Sequence, residues 1–158
     1  MRGDERVIAK LNEALREELT AINQYFVHAE MCHNWGYHRL GHLIQKQSID
    51  EMKHAEALLE RVIFLDGTPT MQPLDLTIGQ DVRQQLQNDL DLELKAVIAY
   101  NEAIAVSRDA RDNTSRELFE RLLKDEEGHV DFLEAQMHQI GQLGYERYLA
   151  QQLEGDKD

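Results

Sequence analysis

Only two prolines interrupt the 158 residues, Pro69 and Pro73, and both lie in one short stretch. Proline removes a backbone donor and clashes with the preceding helical turn, so the chain on either side is free to run in long helices. Apolar residues there recur in steps of three and four, the spacing that lines one face of a helix. Ile8, Leu11, Leu15, Ile22 and Ala29 form one such series, and Leu40, Ile44, Leu58 and Leu65 a second. Val82, Leu86, Val97 and Ile104 form a third, and Phe119, Leu122, Leu133 and Ile140 a fourth. The spacing predicts helices over 4–34, 37–65, 80–108 and 114–140, with a short fifth helix in 145–153. Gly36 separates the first pair, Asp112-Asn113-Thr114 can cap the fourth helix, and Gly141 and Gly144 can end it.

The connection 66–79 can span at most about 46 Å when extended, and a helix of about 29 residues is about 43 Å long. It can therefore run back along the bundle and set helices two and three parallel. The other connections are short enough only for antiparallel hairpins. The expected architecture is all-α: a four-helix bundle with one long crossover and a short C-terminal fifth helix. One domain over 1–158 suits this length.

Each apolar series is completed by residues that do not belong in a core. Glu18 and Tyr25 complete the first, and Gln47, Glu51 and His54 the second. Glu93 and Tyr100 complete the third, Glu126 and His129 the fourth. One offset of 75 residues relates Glu18 to Glu93, Tyr25 to Tyr100, Asp50 to Asp125, Glu51 to Glu126 and His54 to His129. Two hairpins related by a pseudo-twofold axis would produce that match.

Burying an unpartnered carboxylate costs several kcal/mol or forces it to take up a proton. Four glutamates and two histidines near mid-length on four seams therefore need a counter-charge, and no lysine or arginine shares those seams near them. Two divalent cations balance four carboxylates. In each Glu-x-x-His pair, residues three apart share a helix face and can grip one ion. Carboxylate-rich ligation with one imidazole per metal suits iron or manganese, and this is the known template of ferritin-like di-iron bundles. The competing reading is a hydrogen-bonded polar core that confers specificity on the bundle.

Tyr25 and Tyr100 sit two turns beyond Glu18 and Glu93, where they can hydrogen-bond ligands, supply an electron, or simply pack. Met52 points about 100° away from the metal seam, as an interface residue or a thioether ligand to haem. His28, His33, His38 and His42 share no ligand spacing with an acidic cluster and read as surface residues. Cys32 reads as packing and Trp35 as an anchor of the turn.

A net charge of −13 excludes a phosphate-binding surface and so a nucleic-acid role. A single cysteine fits a reducing compartment, MRGDERVIAK has no apolar run, and no segment approaches the roughly 20 apolar residues of a membrane span. These features lead to the expectation of a cytoplasmic protein.

With those residues in place, the chain resembles the bacterioferritin family over nearly its whole length, through MRGDERVIAKLNEAL, AINQYF, SIDEMKHAE, DEEGH and LGYERYL. The resemblance implies a closed homo-oligomeric shell of about 24 subunits that oxidises Fe(II) with O2 or H2O2 and stores ferric mineral. It implies ferroxidase ligands at Glu18, Glu51, His54, Glu93, Glu126 and His129, with Glu51 and Glu126 bridging and Tyr25 beside the centre. Met52 matches the family's haem ligand, so that two copies would hold one haem b per subunit pair. A bacterioferritin-associated ferredoxin is the implied electron donor for iron release. Three positions depart from the pattern: Lys46 stands where some members have a histidine paired with Asp50, Phe132 where tryptophan is common, and Tyr100 matches no known family ligand. The alternative is a di-iron carboxylate enzyme that stores no iron, a rubrerythrin-type peroxidase or a hydroxylase.

Overall fold

Four long helices form where the periodicity places them: α1 (Glu5–Asn34), α2 (His38–Phe64), α3 (Val82–Asp109) and α4 (Asn113–Leu143), followed by α5 (Tyr145–Ala150). The computed structural model describes residues 1–158. Asp4, Asp81 and Asp112 cap α1, α3 and α4, their carboxylates accepting from the amides of Arg6, Gln84 and Ser115. Each such cap is worth about 1 kcal/mol. Helix α4 runs three residues past its expected end, because Gly141 is tolerated inside the helix. The break comes at Gly144, whose φ of +84° lies in the left-handed region that favours glycine. The fifth helix is shorter than expected, closing at Gln151.

The two hairpin turns repeat the 75-residue offset. Gly36 (φ +85°) follows α1 and Arg111 (φ +58°) follows α3, each in the left-handed conformation that reverses the chain. Between hairpins, Tyr25 meets Glu93 and Tyr100 meets Glu18, so α1 and α3 are antiparallel. His54 meets Glu126 and His129 meets Glu51, so α2 and α4 are antiparallel as well. Helices α2 and α3 are therefore parallel, as the long crossover requires.

The crossover is held along α1 by one side chain per helical turn. Asn12 donates to the Thr68 carbonyl and accepts from the Thr70 amide. Arg16 donates to the Gln72 carbonyl. Thr20, Gln24 and His28 then accept from the amides of Leu74, Thr77 and Gly79. A spacing of four keeps all five on one face of α1, and they satisfy backbone groups of an extended segment that has no ladder of its own.

The apolar core is divided in two. One cluster, built around Leu11, Leu15, Leu58, Phe119 and Leu122, fills one end of the bundle. The other, around Leu40, Ile44, Leu86, Leu133 and Tyr148, fills the end that carries α5. On α3 the buried stripe runs through Ala96 and Ala103, while Val97 and Ile104 are half-buried. Steps of three and of four from Glu93 both land on apolar residues, so periodicity alone does not choose between them.

Candidate metal centre

Between the two apolar clusters lies a polar belt. Glu18 on α1, Glu51 on α2, Glu93 on α3 and Glu126 on α4 are each no more than 2% exposed, and His54 and His129 stand beside them. Long, uninterrupted helices bring these residues to one level of the bundle. The i, i+3 spacing then turns each histidine toward the glutamate of its own helix.

The six side chains form two overlapping groups, and within each group one ligand atom per residue lies within 4.8 Å of all the others. One group is Glu18, Glu51, His54 and Glu126; the other is Glu51, Glu93, Glu126 and His129. Glu51 and Glu126 belong to both. Ligands on opposite sides of one ion with bonds of about 2.1 Å stand about 4.2 Å apart, so each group needs to contract only slightly around a cation.

Unsatisfied atoms support that reading. Glu18 Oε2, Glu51 Oε1, Glu93 Oε2, Glu126 Oε2 and His129 Nδ1 are buried without a hydrogen-bond partner. His129 Nδ1 lies 2.9 Å from Glu51 Oε1 yet lacks hydrogen-bond alignment. Native interiors leave few such atoms. Five in one place, all oxygen or imidazole nitrogen, fit a site shaped for a pair of hard to borderline cations.

Protons take the place of cations in this arrangement. Burial, reinforced by Glu18, pushes the Glu126 carboxyl up to about 9. Burial beside Glu18 and Glu93 holds Glu51 well above its ordinary range. Burial also pushes on Glu18, but hydrogen bonds from Glu51 and His54 overcome it and keep that carboxyl at about 2. The two imidazoles respond to the acids around them. Burial disfavours their charge, yet hydrogen bonding raises His54 to about 11 through Glu126 and Glu18, and His129 to about 10 through Glu126 and Glu93.

Tyr25 donates to Glu93 and Tyr100 to Glu18, each reaching across from the other hairpin. Burial, with the adjacent carboxylates, raises both phenols well above 10, so they remain donors. Both tyrosines thus touch carboxylates of the centre in matched fashion.

The far nitrogens of the histidines meet a second matched pair. His54 Nε2 lies 3.0 Å from Asp125 Oδ2, and His129 Nε2 lies 3.7 Å from Asp50 Oδ2. The sequence showed Asp125 only as a repeat of Asp50; the geometry makes Asp125 the group that orients the His54 ring and places Asp50 beside His129. Both line a cleft of about 530 Å³ between α2 and α4 that opens onto His54 and His129 and is edged by Lys53, Lys124 and Arg121.

The remaining expected residues lie apart. Met52 is 57% exposed, about one helical turn from the exposed Ile49. Lys46 is exposed, and Phe132 packs against the cluster at the α5 end. Cys32 is buried, its thiol donating to Gln85 Oε1. The surface reading of His28, His33, His38 and His42 is overturned for the first two, both on α1. His28 is fully buried, donating through Nδ1 to Asp89 while Nε2 accepts from Gly79, and His33 is 6% exposed. Their partners come from α3, the crossover and α2, out of reach of a periodicity read along one helix.

Carboxylates and imidazoles converging from four helices define the ferritin-like class of bundles, and residues 8–143 match the Ferritin-like domain family. The chain is 45% identical to a Bacterioferritin of Mycolicibacterium paratuberculosis and to one of Mycobacterium leprae, each over 96% of both chains. It is 44% identical to a Bacterioferritin of Brucella melitensis over 94% of this chain and 92% of the relative. The chain belongs to the bacterioferritin family. No helix in it is long and apolar enough to cross a membrane.

Proposed function

We propose that this protein takes up Fe(II), oxidises it at an intrasubunit two-metal centre and stores the ferric product inside a hollow shell of its own copies. The observation that carries the proposal is the buried belt of four glutamates and two histidines with five unpartnered ligand atoms. Membership of the bacterioferritin family supports the storage reading.

In this reading Glu51 and Glu126, common to both groups, would hold both iron ions, with Glu18 and His54 on one and Glu93 and His129 on the other. Glu126, His54 and His129 each give up a proton to do so, since all three hold one at neutral pH otherwise. Bound iron supplies the redox chemistry: two Fe(II) yield two electrons, enough to take O2 and two protons to H2O2, or H2O2 and two protons to water. Asp125, within hydrogen-bond distance of His54 Nε2, holds that imidazole with its far nitrogen protonated, which leaves Nδ1 free to ligate; Asp50 stands 3.7 Å from His129 Nε2 at the matching position. Tyr25 and Tyr100 fix the rotamers of Glu93 and Glu18. The cleft beside His54 and His129 gives iron a polar way in or out.

Met52 fits a haem b held between two copies, because it is an exposed thioether that supplies one ligand and needs a second from a partner subunit. Electrons from a bacterioferritin-associated ferredoxin would then enter through that haem to release stored iron. The non-storing alternative, a peroxidase or hydroxylase on the same centre, is separated by iron capacity. Protein stripped of metal, loaded aerobically with Fe(II) and desalted, should retain far more than about two irons per subunit, the content of one two-metal site. Retention that stops near two would refute storage while leaving the centre standing.

A further inference from the structure

The 75-residue match between the hairpins holds for all six candidate ligands and both tyrosines, and it fails one helical turn away. Asp89 stands on α3 one turn before Glu93; the position that mirrors it, one turn before Glu18, is Ala14. His28 and Gln24 on α1 are mirrored in the same way by Ala103 and Ala99. At one end the belt borders on Ala14 and Ala103, packed in the apolar core. At the other, the α5 end, it borders on a wholly buried aspartate.

Asp89 Oδ1 accepts from His28 Nδ1 at 2.8 Å and from Gln24 Nε2 at 2.9 Å, while Oδ2 is buried with no partner. His28 Nε2 accepts from the Gly79 amide, so the ring's one hydrogen sits on Nδ1 and the imidazole is a neutral donor. No lysine or arginine pairs with Asp89. Burial pushes its carboxyl up and the Glu93 charge adds to that, against the bonds from His28 and Gln24. Gln24 and His28 pin the crossover through Thr77 and Gly79, and their remaining hydrogens need an acceptor on α3. A neutral asparagine oxygen would serve that purpose equally well. The charge, costly in a dry interior with neutral donors alone, is left without a reason.

We propose that Asp89 is a fifth carboxylate of the metal centre, one that touches no ion but tightens the position formed by Glu51, Glu93, Glu126 and His129 relative to the position formed by Glu18, Glu51, His54 and Glu126. The inference rests on the two-metal reading of the belt. Asp89 belongs to neither ligand group, yet residues four apart share a helix face with Cβ atoms about 5–6 Å apart, which sets it beside Glu93. Charges at such range act strongly in a low-dielectric interior. Next to Glu93 alone the Asp89 charge is unfavourable, and a divalent ion turns it into an attraction, so the difference is expressed as affinity. The other break in the match, Glu17 against Leu92, flanks the opposite position, but Glu17 is only half-buried and Lys95 counters its charge. The two ions are thus inequivalent, and the first to bind settles at Glu93 and His129.

The test is Co(II) binding to full-length, metal-stripped protein, measured by competition against a chromophoric chelator in two backgrounds that each keep one complete position. His54→Ala keeps the position with Glu93 and His129, and His129→Ala keeps the one with Glu18 and His54. Asp89→Asn retains the acceptor for His28 and Gln24 and removes the charge. It should weaken Co(II) binding about 10-fold in His54→Ala, the lower end of what groups outside the ligand shell contribute, and leave His129→Ala nearly unchanged. Equal weakening in both backgrounds is the mark of a residue that only holds the helices in place, and it overturns the proposal. Weakening confined to His129→Ala, or none in either background, overturns it as well. Should Asp89→Asn fail to fold, the two backgrounds with Asp89 in place decide: His54→Ala should bind Co(II) more tightly than His129→Ala, and equal affinities or the reverse order refute the proposal. If both backgrounds fold and neither binds Co(II), the two-metal reading itself fails and the proposal falls with it.

Discussion

Replacing Glu126 with glutamine should make the metal-free protein more stable, although it removes a ligand. Glu126 keeps its proton up to about pH 9 in the folded chain, whereas its ordinary value is 4.5. Between those limits folding must take up a proton, so this group's contribution is complete below pH 4.5 and is lost as pH rises toward 9. At pH 7 the loss spans 2.5 pH units at about 1.4 kcal/mol each, or roughly 3 kcal/mol. Glutamine keeps the carbonyl oxygen that faces His54 Nδ1 at 2.8 Å and needs no proton. At about 2–4 °C per kcal/mol for a chain of this size, the metal-free melting temperature should rise by roughly 6–12 °C at pH 7. The gain should shrink to about 1 kcal/mol or less near pH 5, only half a pH unit above the ordinary value of 4.5, where about a quarter of the unfolded carboxyl is already protonated. Differential scanning calorimetry of chelator-stripped wild type and Glu126→Gln at both pH values, at one protein concentration, measures this. A variant that melts at or below wild type at pH 7 would show that Glu126 is ionised without metal, and the proton-filled account of the belt would fail.

Asp125→Asn takes the negative charge from beside His54 Nε2 and should weaken metal binding about 10–100-fold; unaltered competition against a chelator would remove Asp125 from that role. Tyr25→Phe and Tyr100→Phe each deprive a buried carboxylate of its donor and should cost the metal-free protein about 1–3 kcal/mol in urea melts. If either matches wild type, the tyrosine packs without holding its glutamate. Arg111→Gly relieves a left-handed residue and should stabilise the fold by about 1 kcal/mol, with Gly36→Ala destabilising it by a similar amount; thermal melts that move both variants the same way contradict the paired-turn account. Met52→Leu should abolish haem binding, read as loss of the haem absorption band after reconstitution, and leave Fe(II) oxidation intact. A full haem band in that variant rules out Met52 as the ligand.

The long helices were legible from apolar periodicity and the confinement of both prolines to one stretch, the parallel pair from the reach of the crossover, and the six candidate ligands because charged residues at apolar seam positions carry a large penalty unless something compensates them. The 75-residue match made the compensation visible twice. The stripe Asn12, Arg16, Thr20, Gln24 and His28 was not legible, because a polar helix face ordinarily means solvent and its partners are backbone groups that leave no mark on the crossover's sequence. His33 was hidden for a related reason, since its burial depends on an absent side chain at Gly41. On α3 the choice between Ala96 and Val97 turned on packing against α1 and α4, which no single-helix pattern contains.

Neither hairpin owns a complete set of ligands. The first contributes Glu18, Glu51 and His54 to one group but borrows Glu126; the second contributes Glu93, Glu126 and His129 to the other but borrows Glu51. Two ions placed there act as rivets through the seam, each passing through both halves of the molecule. Their binding energy is then also docking energy, added where the apolar core is interrupted and the halves would otherwise part most readily.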